Sequence, residues 1–308
     1  MKKLFILNII IVLCIIMASC GEKTPAIGSG SNDPTVFMTI GGHDVTNDEY
    51  RYFYENVKLD FDDNSGDQAI TDQAVKTLVR HYAVYDLAKQ YNIKFDKEMK
   101  AAVDATVTET IESFGGEEGY YAALSESFMT GDCYREILEN EQLEMAVRTY
   151  LIDDATTDIP ADDDAVDSDF AANFVRATHI LIAHTNGSTN EENRKFAQEL
   201  RDRITNGEDF DTLMKEYGQD IGINYKHGYY MTHGLYDEKF ESAAYSLEVG
   251  EISDVVESGA GFHIVKRLPL ETEYLYDNYE DIRYIYKNRV INERLDAIAE
   301  GLSVEYVE

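Results

Sequence analysis

Residues 177–184, "ATHILIAH", are β-branched and aliphatic apart from two imidazoles, and they read as a buried strand with His179 in its middle and His184 at its end. Strand alternation puts His179 on one face with Leu181 and Ala183, and His184 on the other with Ile180 and Ile182. A strand over residues 175–184 is followed by a helix over 193–206, closed by Gly207. "DFDTLMKEYG" and "DEKFESAAYSL" read as a second and a third helix. Two strands, "EISDVVES" and "GFHIVKRL", close the segment across residues 259–261, and the second of them carries His263. Strand, helices and hairpin in that order make an α+β unit of fewer than a hundred residues.

The chain of 308 residues is long enough for two domains. From Thr35 a β-rich run ends at Gly41 and Gly42. Thr46 then stands three residues before Glu49, the spacing of a capping box, so strand, turn and helix are expected. Three more helical patterns follow: Val75, Leu78, Tyr82 and Tyr85 at three- and four-residue spacings, then residues 95–114, then "DCYREILENEQLEMAVRTYLI". Gly115, Gly116 and Gly119 mark a loop before the last of these. The acidic stretch over residues 153–170 lacks the central glycine and closing glutamate of an EF-hand, and we read it as a linker leading into a short helix. After Pro269 helix returns, with five tyrosines between Tyr274 and Tyr286, and "LSVEYVE" is a candidate final strand.

The first twenty residues are an export signal: Lys2 and Lys3, an apolar stretch, then small residues ahead of Cys20. "MASC" resembles a lipobox, which implies removal of residues 1–19 and lipid on Cys20. A diacylglycerol carries the two acyl chains that stable anchoring requires. Residues 20–35 read as a flexible tether rich in Gly, Ser, Pro and Thr. Cys133 is then the one remaining thiol, so an internal disulfide is excluded. The formal charge of −32 repels nucleic acid and anionic lipid alike, leaving the acyl chains to hold the bilayer.

The segment from Phe174 resembles the parvulin family of peptidyl-prolyl isomerases. "THILI", "NGEDFDTL", "FESAAYSLEVGEIS" and "GFHIVK" match that family's motifs in order. The resemblance implies that His179 and His263 are a hydrogen-bonded pair across the sheet, that Asp220 lies beside the substrate amide, and that Ser258 orients the histidines. It implies a proline pocket at Met231, Tyr236 and Phe240. The chain departs from the family in "NYKHGYYMTHG", where Gly228 stands alone in place of two glycines and Tyr236 takes a position at which methionine is common. "FMTIGGHDVTNDEYRYF" and the flanking helices resemble the PrsA and SurA families of extracytoplasmic foldases.

These resemblances imply a mostly helical chaperone domain built from residues 36–170 and 269–308, with a parvulin domain over 174–268 inserted in it. They imply isomerisation of X-Pro bonds in exported polypeptides outside the cytoplasmic membrane, without a cofactor. Unfolded clients and the bilayer are the expected partners, nucleic acid is not, and a homodimer is left open. The alternative is a holdase whose parvulin domain is only a scaffold. A metal site is the other use for His179, His184, His227, His233 and His263, but their spacings match no zinc signature, so no metal is expected.

Overall fold

The computed structural model describes residues 33–61, 66–156, 158–185, 187–224 and 226–307. The expected signal, Cys20 and the tether up to residue 32 lie outside the described residues. The fold is α+β and divides into two compact units. The described residues up to Ile159 and from Lys287 onward form one, and Pro160–Tyr286 the other.

In the first unit β1 (Val36–Ile40) and β2 (His43–Thr46) form a hairpin through Gly41 and Gly42, and β7 (Val304–Tyr306) pairs with the other edge of β1. The two ends of the described chain therefore share one antiparallel sheet, with Ile40 opposite Val304. The helices are α1 (Asn47–Lys58), α2 (Asp67–Gln90), α3 (Lys97–Ser113), α4 (Glu117–Glu126) and α5 (Gly131–Ile152). Leu78 and Tyr82 of α2 pack with Met38, Ile40 and Val45 of the hairpin, which gives the three- and four-residue spacing its physical meaning.

Two local expectations change in this unit. Thr46 caps α1 by accepting from the Glu49 N–H at 3.2 Å, but the Glu49 carboxyl does not fold back to complete a capping box. It is buried and accepts from the Tyr82 hydroxyl at 2.7 Å instead, and burial raises its pKa to about 7. The glycine-rich stretch after α3 is not a loop throughout, because Gly119 lies inside α4. That helix forms because Glu117 and Glu118 occupy its positive end while Tyr120 and Leu124, four residues apart, are buried.

In the second unit α6 (Asp163–Asn173) begins at an Asp162 cap, and its Val166 and Phe170 pack with Phe174, Tyr230, Leu275 and Ile282. The sequence reading assigned residues 36–170 to the first domain and 269–308 to its completion. The compact units divide instead before Pro160 and after Tyr286, because this aromatic cluster ties both flanking segments to the sheet that carries Tyr230. Tyr274 stacks on Tyr230 with ring centroids 3.5 Å apart, Tyr279 donates to Asp163, and Tyr286 donates to the Pro160 carbonyl. Packing thus accounts for three of the five tyrosines, while Tyr276 and Tyr284 are exposed.

The sheet of this unit has the order β4-β3-β6-β5, antiparallel throughout: β3 (Val175–Ala183), β4 (Tyr229–Met231), β5 (Ile252–Glu257) and β6 (Gly261–Leu268). The helices around it are α7 (Asn190–Thr205), α8 (Phe210–Tyr217) and α9 (Glu238–Ser246). A complete capping box between Thr189 and Glu192 starts α7 ahead of the expected residue 193. Ile180 and Ile182 face α7 and α8 with Leu200, Leu213, Phe262 and Ile264, whereas Val175 and Ala177 face α9 with Met231, Phe240, Ala244 and Val265. β3 is buried on both faces, and His179 falls on the α9 side. The chain closes through α10 (Thr272–Asp277) and α11 (Tyr279–Gly301), which begins in the second unit and ends in the first.

Candidate active site

Strand register brings the two histidines together. His179 lies opposite Val265, and His263 lies opposite Leu181, so both imidazoles project from one face as diagonal neighbours. Their rings stack with centroids 4.9 Å apart, and Nδ1 of one is 2.8 Å from Nδ1 of the other. His179 Nε2 is 2.7 Å from Asp220 Oδ2, and His263 Nε2 is 2.6 Å from Ser258 Oγ. The four residues implied by the resemblance form one continuous hydrogen-bonded chain, from Asp220 through His179 and His263 to Ser258.

Its direction follows from donor counting. A carboxylate only accepts, so His179 Nε2–H donates to Asp220, and the tautomer with its proton there leaves Nδ1 as an acceptor. His263 Nδ1–H then donates to His179, and its bare Nε2 accepts the Ser258 hydroxyl. Ser258 Oγ in turn accepts from the Ala260 N–H at 3.1 Å. Electrostatics agree with this order. The hydrogen bond from His179, joined by those from Tyr229 and the Gly222 N–H, holds the Asp220 carboxyl well below the usual carboxylate range against the opposing effect of burial. Burial, reinforced by the neighbouring His179, lowers the His263 pKa to about 4.

Each member is positioned by its own element. Asp220 follows α8 in a loop stitched along β3, where Gln219 N donates to the Leu181 carbonyl and its side chain accepts from Ala183 N. Ser258 sits in the β5–β6 turn, with its N–H on the Gly261 carbonyl. His184, at the strand's end, has two partners: its Nε2 reaches the Ser258 carbonyl at 3.1 Å and its Nδ1 meets Asn190 Oδ1 at 2.8 Å. Asp237 caps α9 and also accepts from Gly259 N, which links the start of that helix to the same turn.

The three pocket residues differ in exposure. Phe240 lies against both imidazoles, 5.0 Å from His179 and 5.2 Å from His263 between ring centroids. Tyr236 is 40% exposed and edges onto Tyr229 and Phe240. Met231 is fully buried on the same face, in the cluster that also holds Phe240, Val175 and Val265. It is drawn into the core because residues 229–231 pair with β3, a strand too short to show a period in the sequence.

Two further residues shape the loop. The buried Glu241 carboxylate accepts the N–H groups of Gly234, Leu235 and Tyr236 at 2.7–2.9 Å, and so fixes the segment that carries Tyr236. Gly228 has φ +64°, and a Cβ there would stand 2.4 Å from the Ala177 carbonyl oxygen, so the one glycine kept in this loop is a steric requirement. An open groove of about 810 Å³ lined by Arg201, Ser242, Leu247 and Asp254 shares no residue with the histidine chain.

Residues 179–268 match the sequence family described as a rotamase, PPIC-type PPIase domain. The chain carries a parvulin domain of the PPIC type. Its first histidine is the first residue matched, and the match ends with β6. This parvulin domain lies in a chain homologous over most of its length to foldases. Foldase protein PrsA of Oceanobacillus iheyensis is 29% identical over 289 residues, 91% of this chain and 84% of that protein. Foldase protein PrsA of Caldanaerobacter subterraneus is 25% identical over 322 residues, covering 99% and 96%. A crystal structure of peptidylprolyl isomerase PrsA from Bacillus anthracis covers 73% of this chain and 94% of that one, at 20% identity and a TM-score of 0.32.

Proposed function

We propose that this chain is a membrane-tethered foldase that isomerises X-Pro bonds in exported polypeptides through its parvulin domain and holds those chains with its first unit. The observation that carries the reading is the hydrogen-bonded chain from Asp220 to Ser258, set against Phe240 and Tyr236. No nucleophile is needed for this reaction. The barrier to rotation, about 18–20 kcal/mol, is the loss of amide resonance.

Resonance places negative charge on the carbonyl oxygen of either planar isomer, and twisting the bond withdraws it. A fixed anion beside that oxygen disfavours the planar isomers more than the twisted state, which is differential binding of the transition state. Asp220 is the anion in this scheme. His179 orients it, while His263 and Ser258 keep His179 in the tautomer that donates to it. Phe240 and Tyr236 offer the apolar contact for the pyrrolidine ring. Lowering the barrier by about 4 kcal/mol corresponds to roughly a thousandfold acceleration.

Tethering is supported by the lipobox-like sequence ending at Cys20. Among the described residues no helix is long and apolar enough to cross a membrane. Location outside the cytoplasmic membrane follows from the export signal in the same reading.

A protease-coupled isomerisation assay on short X-Pro peptides, run beside suppression of aggregation of an unfolded client, tests the proposal. The wild type is expected to accelerate isomerisation. Asp220→Asn, nearly isosteric but uncharged, is expected to lower kcat/KM about a hundredfold while leaving aggregation suppression intact. A wild type that suppresses aggregation but does not isomerise would establish the scaffold alternative. Cys20→Ser is expected to release the protein from the membrane fraction, and retention there would refute the lipid anchor.

A further inference from the structure

Tyr229 lies opposite Ala177 in the β4–β3 pairing. Paired residues share a face of the sheet, and Ala177 precedes His179 by two positions, so all three belong to the face of the active site. The small Ala177 side chain leaves room for the phenol ring, which meets His179 edge-on with centroids 5.7 Å apart. Its hydroxyl reaches Asp220 Oδ2 at 2.6 Å, the oxygen that His179 Nε2 also bonds at 2.7 Å. The Gly222 N–H takes the other carboxylate oxygen at 2.8 Å. Tyr236 and Phe240 pack against the Tyr229 ring at 5.4 and 6.4 Å.

The strand that presents Tyr229 is held independently of the loop that presents Asp220. Gly228 lies against the Ala177 carbonyl, and the buried Arg176 donates to the carbonyls of Lys226 and His227 at 3.1 and 2.7 Å. Arg176 also bonds Glu271, which accepts the Tyr230 hydroxyl. Tyr229 and Tyr230 thus face opposite ways, one toward the site and one toward the pair of buried Arg176 and partly exposed Glu271. The phenol is a donor placed in advance.

We propose that Tyr229 is a positioning residue of the isomerase site, whose hydroxyl acts with His179 to fix the charge and direction of the Asp220 carboxylate. Two donors occupy Oδ2, and one occupies Oδ1. The less occupied oxygen, Oδ1, is therefore the one left to face the substrate carbonyl, and the pair of donors on Oδ2 keeps the carboxylate from turning about its own axis. Burial and the bond to the Asp220 anion both push the Tyr229 pKa up, so the phenol stays protonated and donates. The proposal rests on the isomerase reading above.

Tyr229→Phe keeps the ring and removes only the donor. We expect kcat to fall about tenfold, the scale of one hydrogen bond to a charged group, with KM within about twofold. The acidic limb of the kcat/KM profile is expected to move to higher pH, because Asp220 loses a donor that favours its charged form. A residue that only packed would leave that limb in place. Melting of the variant within a few degrees of wild type keeps the comparison one of chemistry. An active wild type matched by Tyr229→Phe in kcat and in pH profile overturns this proposal alone. A wild type without isomerase activity overturns the proposed function and this inference with it.

Discussion

Replacing His263 by Gln removes the most buried titrating group of the hydrogen-bonded chain and yields a measurable change in how stability depends on pH. The folded-state pKa of His263 is lowered from 6.5 to about 4, by burial first and by the nearby His179 second. A group depressed in this way is neutral in the fold and binds its proton more readily when unfolded. Its contribution to stability is complete above pH 6.5 and is lost as pH falls from there toward 4. The interval corresponds to about 3 kcal/mol in full, of which about 2 kcal/mol is lost between pH 7 and pH 5. Glutamine does not titrate, so the variant escapes this loss even though it starts from a lower stability. His81 in the first unit is lowered to about 4 by burial as well, but it is present in both proteins and cancels in the difference. The assay is urea denaturation of the full chain at the two pH values, followed by far-ultraviolet circular dichroism and tyrosine fluorescence because the chain has no tryptophan. The wild type should lose about 2 kcal/mol more than His263→Gln between pH 7 and pH 5. Equal losses would refute the neutral, buried His263 and with it the donor order derived from Asp220.

Glu49 supplies the opposite sign in the first unit. Its folded pKa is raised to about 7, so its contribution is complete below 4.5 and is lost as pH rises through 7. Glu49→Gln should therefore match wild type near pH 4 and exceed it by up to about 3 kcal/mol at pH 8 in chemical denaturation; equal stability at pH 8 would count against the buried, protonated acid. Gly228→Ala should destabilise the parvulin domain by more than about 1 kcal/mol, because its Cβ meets the Ala177 carbonyl. Hydrogen exchange of the β3 and β4 amides reads that loss locally, and unchanged protection would contradict the close approach.

Much of the parvulin domain was legible in the sequence because its signals are local. The alternation in "ATHILIAH" sets the face of His179 whatever strand pairs with it, and the motifs around His263, Asp220 and Ser258 kept their order. The burial of Met231 was not legible because three residues of β4 are too few to show a period, and it is their pairing with β3 that brings Met231 into the core. Glu241 lay in plain sight within "FESAA", but a glutamate in an amphipathic helix does not announce that it will accept three backbone N–H groups. The compact units differ from the expected domain bounds for a similar reason, since α6 and the tyrosines after Pro269 pack in the cluster that holds Tyr230.

By itself the sequence determined most of the strands and helices, though not β4 or α4, because side-chain periodicity, hydroxyl caps and glycine act within a few residues of themselves. It also determined which imidazoles, carboxylate and hydroxyl were candidates for the site. Only the tertiary structure decided their partnership. His179 and His263 are 84 positions apart, and Asp220 is 41 from His179, so the register of β3 with β6 and the stitching of the α8 loop had to be in place before a direction of hydrogen bonding existed. The same holds for Tyr229, whose hydroxyl becomes a second donor to Asp220 because a small alanine happens to face it across the sheet.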